Sequence, residues 1–528
     1  MNTQRLILYT VCSGAFFSTG QAQEKPNIVL IMCDDMGFSD ISSYGGELLT
    51  PHLDELSKEG ICFTQFKNTG RSCPSRAALL TGRYQHSAGM GWMTAVDEHR
   101  ESYRGQLTGK YPTIAEVLRD GGYATYMSGK WHLTLDRVYE GKDSFQLNGS
   151  FPVERGFDQY WGAISGGGSY YAPAPLMKNG QHIKTYPEGF YYTTEITKHA
   201  VEFIENHDTD KPLFLYVAHF APHRPWQAPK ERIDKCRKRY EVGYDVLREQ
   251  RFKRMKELGL IPDNQDFPIH QKEFKNHRLK WEEQSPSMQE KWIENMATYA
   301  AMVEMVDDGV GEIIEATKQK GIYENTIFIF LSDNGCAKEG GIIPQYVADL
   351  SNFPYRNYKV SVYNGGTSSP LIIHYPKKYG KYAGQLRTTP AHIMDLLPTC
   401  IDLAGISYPH QFKGKPIPPC EGVSLVPVLR NKSLKKRDLF FEHGSCAVIS
   451  DGWKLIRSYS KAPWELYKLD EDPFEMHDLS KQYPKKVEKL LHKWDTWAEK
   501  HHVHLEGRGW DARIKYYSEK YPDQDGID

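Results

Sequence analysis

The sequence predicts an α/β protein with a large, mostly parallel central sheet, followed by a smaller antiparallel sheet with a helix. Apolar runs of strand length recur, and they are continuous rather than alternating, which is typical of strands covered on both faces. Helix-like segments separate them, and such alternation favours parallel strands. The runs span residues 27–32, 212–218, 326–331 and 369–375.

Apolar spacing and end signals indicate the helices. Thr113 is suited to cap a short helix that Gly121 ends, and residues 296–311 carry apolar side chains at helical intervals. Residues 230–290 are rich in Lys, Arg and Glu and contain no strand-like run. We interpret them as a charged helical insertion that covers one edge of the main domain.

The chain changes character after about residue 405. Short, turn-bounded runs then indicate a small antiparallel sheet, and a helix follows over residues 484–500. We therefore divide the chain into a main α/β domain, 23–405, and a C-terminal α+β subdomain, 406–528. The short runs are 440–442, 447–450, 453–456 and 465–469.

The composition is that of a folded globular protein. Of 528 residues, 40% are hydrophobic and 25% are charged, which excludes a disordered chain. The 66 basic and 67 acidic residues leave a net charge of −1, whereas dedicated nucleic-acid binders usually have a basic excess. Aromatic residues make up 12%, a content that fills cores and also suits sugar-binding surfaces.

The N-terminus indicates export. Arg5 precedes an apolar stretch, 6–17, and small or polar residues follow up to Ala22. This pattern predicts a secretory signal peptide over residues 1–22, and hence a periplasmic or secreted protein. No other stretch approaches the ~20 apolar residues that span a bilayer, so we expect no membrane span.

The cysteines leave two interpretations open. Export permits disulfides, for example between Cys400 and Cys420, but mostly free, buried thiols fit equally well. No zinc-ligand spacing occurs among them. The cysteines that follow the predicted cleavage site are at positions 33, 62, 73, 236, 336, 400, 420 and 446.

Acidic side chains follow two of the predicted strands. Asp34 and Asp35 come after the first run, and Asp333 and Asn334 come after the run at 326–331. Ligands bind beyond the carboxyl ends of strands in open parallel sheets, and three carboxylates with one amide suit Ca²⁺ or Mg²⁺ better than zinc. Either pair alone would be read as a turn, but two pairs after buried strands favour a metal site.

A second polar segment runs from Ser72 to Arg83, with the sequence SCPSRAALLTGR. Pro74 makes the turn rigid, and a helix is expected to begin there, so Ser72 would lie at a helix N-terminus that favours an anion. Arg76, one turn further on, could bond back to residue 72. Chemistry alone leaves an anion-binding loop and an ordinary helix cap as alternatives.

This segment resembles the signature of the sulfatase family, whose first residue is oxidised to formylglycine after translation. Aligned on Pro74 and Arg76, that residue is Ser72, and Cys73 falls at a variable position. The resemblance implies an alkaline phosphatase-like fold. A Ser at this position is similar to the bacterial class matured by an anaerobic sulfatase-maturing enzyme, which would act as a partner on the unfolded chain.

Further motifs of the family follow in order. Lys130 and His132 match its Gly-Lys-Xaa-His motif, and His223 matches its Pro-His-Xaa-Pro motif. Lys359 matches the Lys that precedes a Glu-Gly-Gly segment, although Asn364 replaces the usual Glu. We expect this departure to alter local packing or substrate contacts rather than to abolish activity.

The resemblance also implies the role of each residue. One Ca²⁺ would be held by five residues, and Lys130 and Lys359 would bind sulfate oxygens. His223 would be the general acid, and His132 would deprotonate the hydrated aldehyde. The five implied calcium ligands are Asp34, Asp35, Ser72, Asp333 and Asn334.

The substrate is expected to be a sulfated glycan. Residues 240–262 resemble an insertion of a bacterial subgroup that includes exo-acting sulfatases, among them galactose-3-sulfate enzymes. Trp226 could stack on a sugar ring. Gln85 and His86, which follow the signature, and Arg224 complete the predicted substrate contacts.

Other functions remain open at this point. A broad arylsulfatase would share the same catalytic residues. A phosphodiesterase or phosphonate hydrolase of the same superfamily would be expected to have additional His and Asp ligands for a second metal. A non-catalytic glycan-binding protein would result if Ser72 were not matured.

Overall fold

The computed structural model describes residues 24–139, 141–142, 145–459, 462–503 and 510–520, without the side chains of 510–514. The predicted signal peptide, 1–22, lies outside the described residues. Among the helices described, none is long and apolar enough to cross a bilayer.

Strands and helices alternate through the first three quarters of the chain. The strands are β1 (Asn27–Cys33), β2 (Ile61–Phe63), β3 (Phe66–Lys67), β4 (Ala124–Gly129), β5 (Gln159–Ala163), β6 (Leu176–Lys178), β7 (Gln181–Ile183), β8 (Leu213–Ala218), β9 (Thr326–Ser332), β10 (Leu371–His374), β11 (Gln385–Arg387), β12 (Ala391–His392), β13 (Gln411–Phe412), β14 (Lys415–Pro416), β15 (Leu439–Glu442), β16 (Cys446–Ser450), β17 (Trp453–Arg457) and β18 (Glu465–Lys468). The helices are α1 (Pro51–Glu59), α2 (Ser72–Thr81), α3 (Ile114–Asp120), α4 (Tyr192–Glu205), α5 (Lys230–Arg237), α6 (Tyr244–Glu257), α7 (Pro286–Gln319), α8 (Ile342–Ser351), α9 (Asn364–Thr367), α10 (Pro376–Tyr379), α11 (Leu396–Leu403), α12 (Val426–Leu429), α13 (Pro484–Lys500) and α14 (Trp510–Lys520).

The central sheet has ten strands in the order β11-β2-β10-β9-β1-β8-β4-β5-β6-β7. Its middle, from β9 to β5, is parallel, whereas β10 runs antiparallel to both β9 and β2. The predicted fold class is therefore confirmed. The apolar run at 369–375 indicated a buried strand, but its reversed direction had no signal in the sequence.

The register of the central strands determines which strand ends lie side by side. β1 pairs with β9 from Asn27 opposite Thr326 to Cys33 opposite Ser332, and β8 ends with Ala218 opposite both Met32 and Gly129. Every residue of β1, β4, β8 and β9 is buried. The segments that follow β1, β4, β8 and β9 consequently leave the sheet at one edge.

Helices cover the two faces of the sheet. α3 begins at the predicted cap, Thr113, whose side chain accepts from the Glu116 amide within a capping box, and it ends at Gly121 as predicted. The predicted helix at 296–311 is the middle of the much longer α7. Within 230–290, α5 and α6 are helical and the chain beyond Glu257 is mostly irregular. Arg251 of α6 holds this segment to the main domain through Asp40 and Glu47.

A four-stranded antiparallel sheet, β15-β16-β17-β18, forms the C-terminal part, and α13 packs against it. The main domain is tied to it by Asn364, whose backbone amide donates to Glu475 and whose side-chain oxygen accepts from Lys67 and Lys454. All eight cysteines of the described chain are free thiols, so Cys400 and Cys420 are not joined.

Candidate active site

Two pairs of polar residues meet where β1 and β9 end. The backbone amide of Asp35 donates to Asp333 Oδ1 at 3.3 Å, and Asn334 Nδ2 donates to Asp35 Oδ1 at 2.6 Å. Asp35 has a left-handed backbone with φ of 65°, which is uncommon for a residue other than glycine and turns the chain directly after the strand. The strand register thus brings together the four residues that the sequence predicted as metal ligands.

Ser72 lies in the first turn of α2 and points at the same place. Its hydroxyl donates to Asp34 Oδ1 at 3.0 Å and is 3.2 Å from Asn334 Oδ1. Only 1% of Ser72 is exposed. The amide of Asn334 directs its nitrogen to Asp35 and its oxygen to Ser72, so that oxygen faces the space between the pairs.

Arg76 connects three parts of the site. Its Nε donates to Asp333 Oδ2 at 3.1 Å, and its Nη1 donates to the Lys130 carbonyl at 2.9 Å. Nη2 lies 3.6 Å from Asp34 Oδ2. The expected bond from Arg76 back to residue 72 is therefore wrong, because its side chain extends across α2 towards β9 and the chain after β4.

Two lysines face the acidic pairs. Lys130 Nζ contacts Asp34 Oδ2 and the Gly166 carbonyl. Lys359 Nζ lies 2.9 Å from Asp35. Burial opposes the charge of Lys359, but Asp35 and Glu339 outweigh it and raise the pKa of its ammonium group. Both lysines are over 90% buried, so their charges act with little screening by water.

The two predicted catalytic histidines lie beside the lysines. His223 Nδ1 is 2.5 Å from the Arg224 carbonyl, which only accepts, so Nδ1 carries a proton and Nε2 faces Asp35 at 3.7 Å. His132 has φ of 57°, and its Nδ1 has no hydrogen-bond partner among the described residues. A Cβ added to Gly166 would lie 2.1 Å from His132 Nε2, so this glycine makes room for the ring.

The residues present fit a hard divalent cation. Three carboxylates and an amide oxygen converge, which is the donor set that Ca²⁺ prefers. Burial, followed by the nearby Asp34 charge, raises the pKa of Asp333 to about 7, so the acids are crowded. One ligand atom each from Asp34, Asp35 and His223 also lies within 4.8 Å of the others. A divalent cation would relieve this crowding.

A cavity of about 1420 Å³ opens over these groups. Ser72, His132, His223 and Lys359 line its floor, and the turn between β15 and β16 contributes His443, Gly444 and Ser445 to its wall. The cavity is therefore shared by the main α/β part and the C-terminal sheet.

The described lining of the cavity does not include the four residues predicted to contact substrate. Gln85 and His86 are buried against Glu442, to whose carbonyl and carboxylate they bond. Trp226 donates to the Pro222 carbonyl, and the Arg224 guanidinium lies over its ring at 4.8 Å.

Sequence reasoning missed many charged or polar residues in the lining, among them Arg71, Glu339 and His443. Arg71 directly precedes Ser72, and this adjacency was a usable signal. Glu339 follows Asn334 by only five residues, but nothing in the sequence gives the direction of its side chain. His443 lies in a different part of the chain altogether.

Buried lysines around an acidic cluster beside a hydroxyl are suited to an enzyme that binds an anionic substrate. Comparison with known proteins specifies the anion. Residues 26–406 match the family described as Sulfatase, and residues 356–500 match N-sulphoglucosamine sulphohydrolase, C-terminal. The chain belongs to the sulfatase family, whose members hydrolyse sulfate esters.

Individual relatives agree with this assignment. The chain is 32% identical to an arylsulfatase of Klebsiella aerogenes, over 79% of this chain and 94% of the relative. A solved structure of Ps i-CgsB in complex with k-i-k-neocarrahexaose superposes with a TM-score of 0.67 at 26% identity, covering 95% of this chain and 99% of that one. Another, in complex with D-glucosamine-2-N,6-O-disulfate, gives a TM-score of 0.62 at 26% identity, covering 90% and 98%.

Proposed function

We propose that this sulfatase is calcium-dependent, acts on sulfated carbohydrates, and uses a formylglycine made from Ser72. One observation carries the proposal. The Ser72 hydroxyl lies between Asp34 and Asn334, while Lys130 and Lys359 face the same acidic cluster from the segments after β4 and before α9.

The lysines bind the sulfate group. Each is now paired with a carboxylate, Lys130 with Asp34 and Lys359 with Asp35. A cation held by those carboxylates would compete for them and free the ammonium groups to donate to sulfate oxygens. Because the ammonium groups are buried, they stabilise negative charge that develops on these oxygens in the transition state.

His223 supplies the proton to the leaving oxygen. The Arg224 carbonyl holds a proton on Nδ1, so Nε2, the atom that faces the cluster, donates a proton only from the doubly protonated imidazolium. General acid help of this kind contributes about 10²–10⁴-fold. His132, held over Gly166 at the cavity floor, is the base that removes a proton from the group at position 72.

The proposed calcium and formylglycine would share the same cluster of residues. Asp34, Asp35, Asp333, Asn334 and residue 72 would hold calcium, which when bound supplies positive charge to the sulfate and to the nucleophile. A formylglycine at position 72 would supply a hydrated aldehyde as nucleophile. The N-terminal turn of α2 and the Arg76 guanidinium keep residue 72 in line with that cluster.

A carbohydrate substrate is supported by the size of the cavity and by the sugar-bound relatives. Its volume of about 1420 Å³ exceeds what a sulfate group alone needs, and cationic side chains such as Lys142, Lys272 and Lys338 surround it. We propose exo action on a sugar such as galactose-3-sulfate, in the periplasm or outside the cell, after maturation of the unfolded chain by an anaerobic sulfatase-maturing enzyme.

The test is release of inorganic sulfate from a panel of sulfated monosaccharides and an aryl sulfate. Wild type co-expressed with the maturing enzyme is compared with wild type expressed alone and with Ser72→Ala, each with EGTA and with calcium restored. We expect release only from matured wild type with calcium. Mass spectrometry that shows the aldehyde at residue 72 without any release would contradict the proposal.

A further inference from the structure

The acidic side chains in the cavity wall are not equivalent. Three of them are engaged: Glu273 accepts from Arg356 at 2.6 Å, Glu465 accepts from Tyr363 at 2.7 Å, and Asp136 accepts from Tyr139 at 2.6 Å. The fourth, Glu339, accepts no hydrogen bond from any residue that the structure describes. Among the described residues its nearest oppositely charged atom is Arg71 Nη1, at 3.7 Å, beyond hydrogen-bond distance.

Glu339 also lines the same cavity as Ser72. Its partner Arg71 directly precedes Ser72, and Lys359 and His223 line the same cavity. About half of the Glu339 side chain is exposed, so its carboxylate is open to a ligand. Lys359, Arg71 and His223 together hold the pKa of this carboxyl at about 2, so it is ionised whenever the enzyme works.

An ionised carboxylate is a poor neighbour for a sulfate ester, because like charges repel. It can only accept hydrogen bonds, and the main donors that a sulfated sugar offers are its hydroxyl groups. A second sulfate on the same ring would instead bring negative charge towards Glu339. The same side chain therefore attracts one class of sugar and repels another.

We propose that Glu339 is a specificity-determining residue, whose carboxylate accepts a hydrogen bond from a free hydroxyl of the sulfated ring and rejects rings that carry a second sulfate there. This inference rests on the proposed function. The competing explanation is that Glu339 only balances the charge of Arg71.

The experiment compares pairs of sugars. Matured wild type is first assayed on methyl galactosides and methyl N-acetylglucosaminides with one sulfate. The best of these is then compared with its disulfated counterparts and with its deoxy analogues. The variants are Glu339→Gln, which keeps the shape and removes the charge, and Glu273→Gln, which removes an engaged acid of the same cavity. Melting temperatures confirm that both variants are folded.

We expect at least one disulfated or deoxy counterpart to lower the wild-type kcat/KM by about tenfold or more, since a site built to bond a hydroxyl rejects analogues without it. In Glu339→Gln the loss of kcat/KM between the best sugar and that counterpart should shrink to about threefold or less. The variant should achieve this chiefly by gaining activity on the disulfate. Glu273→Gln should keep the wild-type penalty.

An unchanged penalty in Glu339→Gln, or an equal change in both variants, would overturn the inference and leave the sulfatase mechanism intact. The same ratios are measured as Kd by calorimetry on protein that has not been matured, so the comparison does not depend on turnover. If wild type neither binds nor turns over any of these sugars, the proposed function itself fails.

Discussion

Replacing Arg76 with Lys tests whether the branched guanidinium group, and not only its positive charge, holds the parts of the active site together. Arg76 donates to Asp333 and to the Lys130 carbonyl at the same time and is fully buried. A lysine has one ammonium group and can keep the contact with an acid, but it cannot also reach that carbonyl. The Lys130 carbonyl is then left buried without this donor.

The size of the effect follows from these bonds. An unsatisfied buried polar group costs about 1–3 kcal/mol, and part of the contact with Asp333 is lost as well. We therefore expect Arg76→Lys to lower the free energy of unfolding by about 2–4 kcal/mol. The segment that carries Lys130 and His132 loses its anchor, and displacement by about 1 Å at such a position costs about 10² in kcat/KM.

The assay measures sulfate release and urea unfolding side by side. Arg155→Lys is the matched control, because Arg155 is equally buried and bonds two carbonyls and Glu116 away from the cavity. The control should lose similar stability and keep kcat/KM within about threefold. If Arg76→Lys also keeps kcat/KM within threefold, the two bonds of the guanidinium group do not organise the active site, and this prediction is refuted.

Three further predictions concern charge, space and metal. Burial and Lys454 lower the pKa of Lys67 to about 7. Between pH 7 and 9 the unfolded chain therefore holds more protons than the folded chain, and the free energy of unfolding should rise by about 2 kcal/mol. Lys67→Met should lack this contribution in urea titrations. Gly166→Ala should push on the His132 ring and lower kcat/KM by about tenfold, measured as sulfate release. Calcium at about 100 times its Kd should stabilise by about 2.7 kcal/mol in thermal or urea unfolding, and Asp333→Asn should weaken this effect.

Each of these has its own contradicting outcome. An identical pH dependence of stability in wild type and Lys67→Met would show that Lys67 keeps its proton in the fold. Gly167, whose added Cβ would meet nothing within 4 Å, is the control for Gly166, and equal losses in both alanine variants would point to loop stiffness instead. Equal stabilisation by calcium in wild type and Asp333→Asn would place the ion elsewhere.

Sequence patterns were most informative where local spacing, or the common direction of buried parallel strands, determines position. The acids after β1 and β9 meet because both follow buried parallel strands, and the antiparallel C-terminal sheet and α13 follow from local spacing. Side-chain direction had no such signal. Gln85 and His86 follow the signature helix closely, yet they turn to Glu442, a residue more than 350 positions away.

The burial of Ser72 sets an order of events in the life of the chain. Its hydroxyl is covered once Asp34 and Asn334 are in place, and Asn334 follows a strand that the ribosome makes long after α2. Any enzyme that modifies Ser72 must therefore reach it while β9 is still missing or unpaired. If Ser72 is converted as proposed, slower pairing of β9 would lengthen that interval, so the fraction of modified molecules should depend on folding rate as well as on the amount of modifying enzyme.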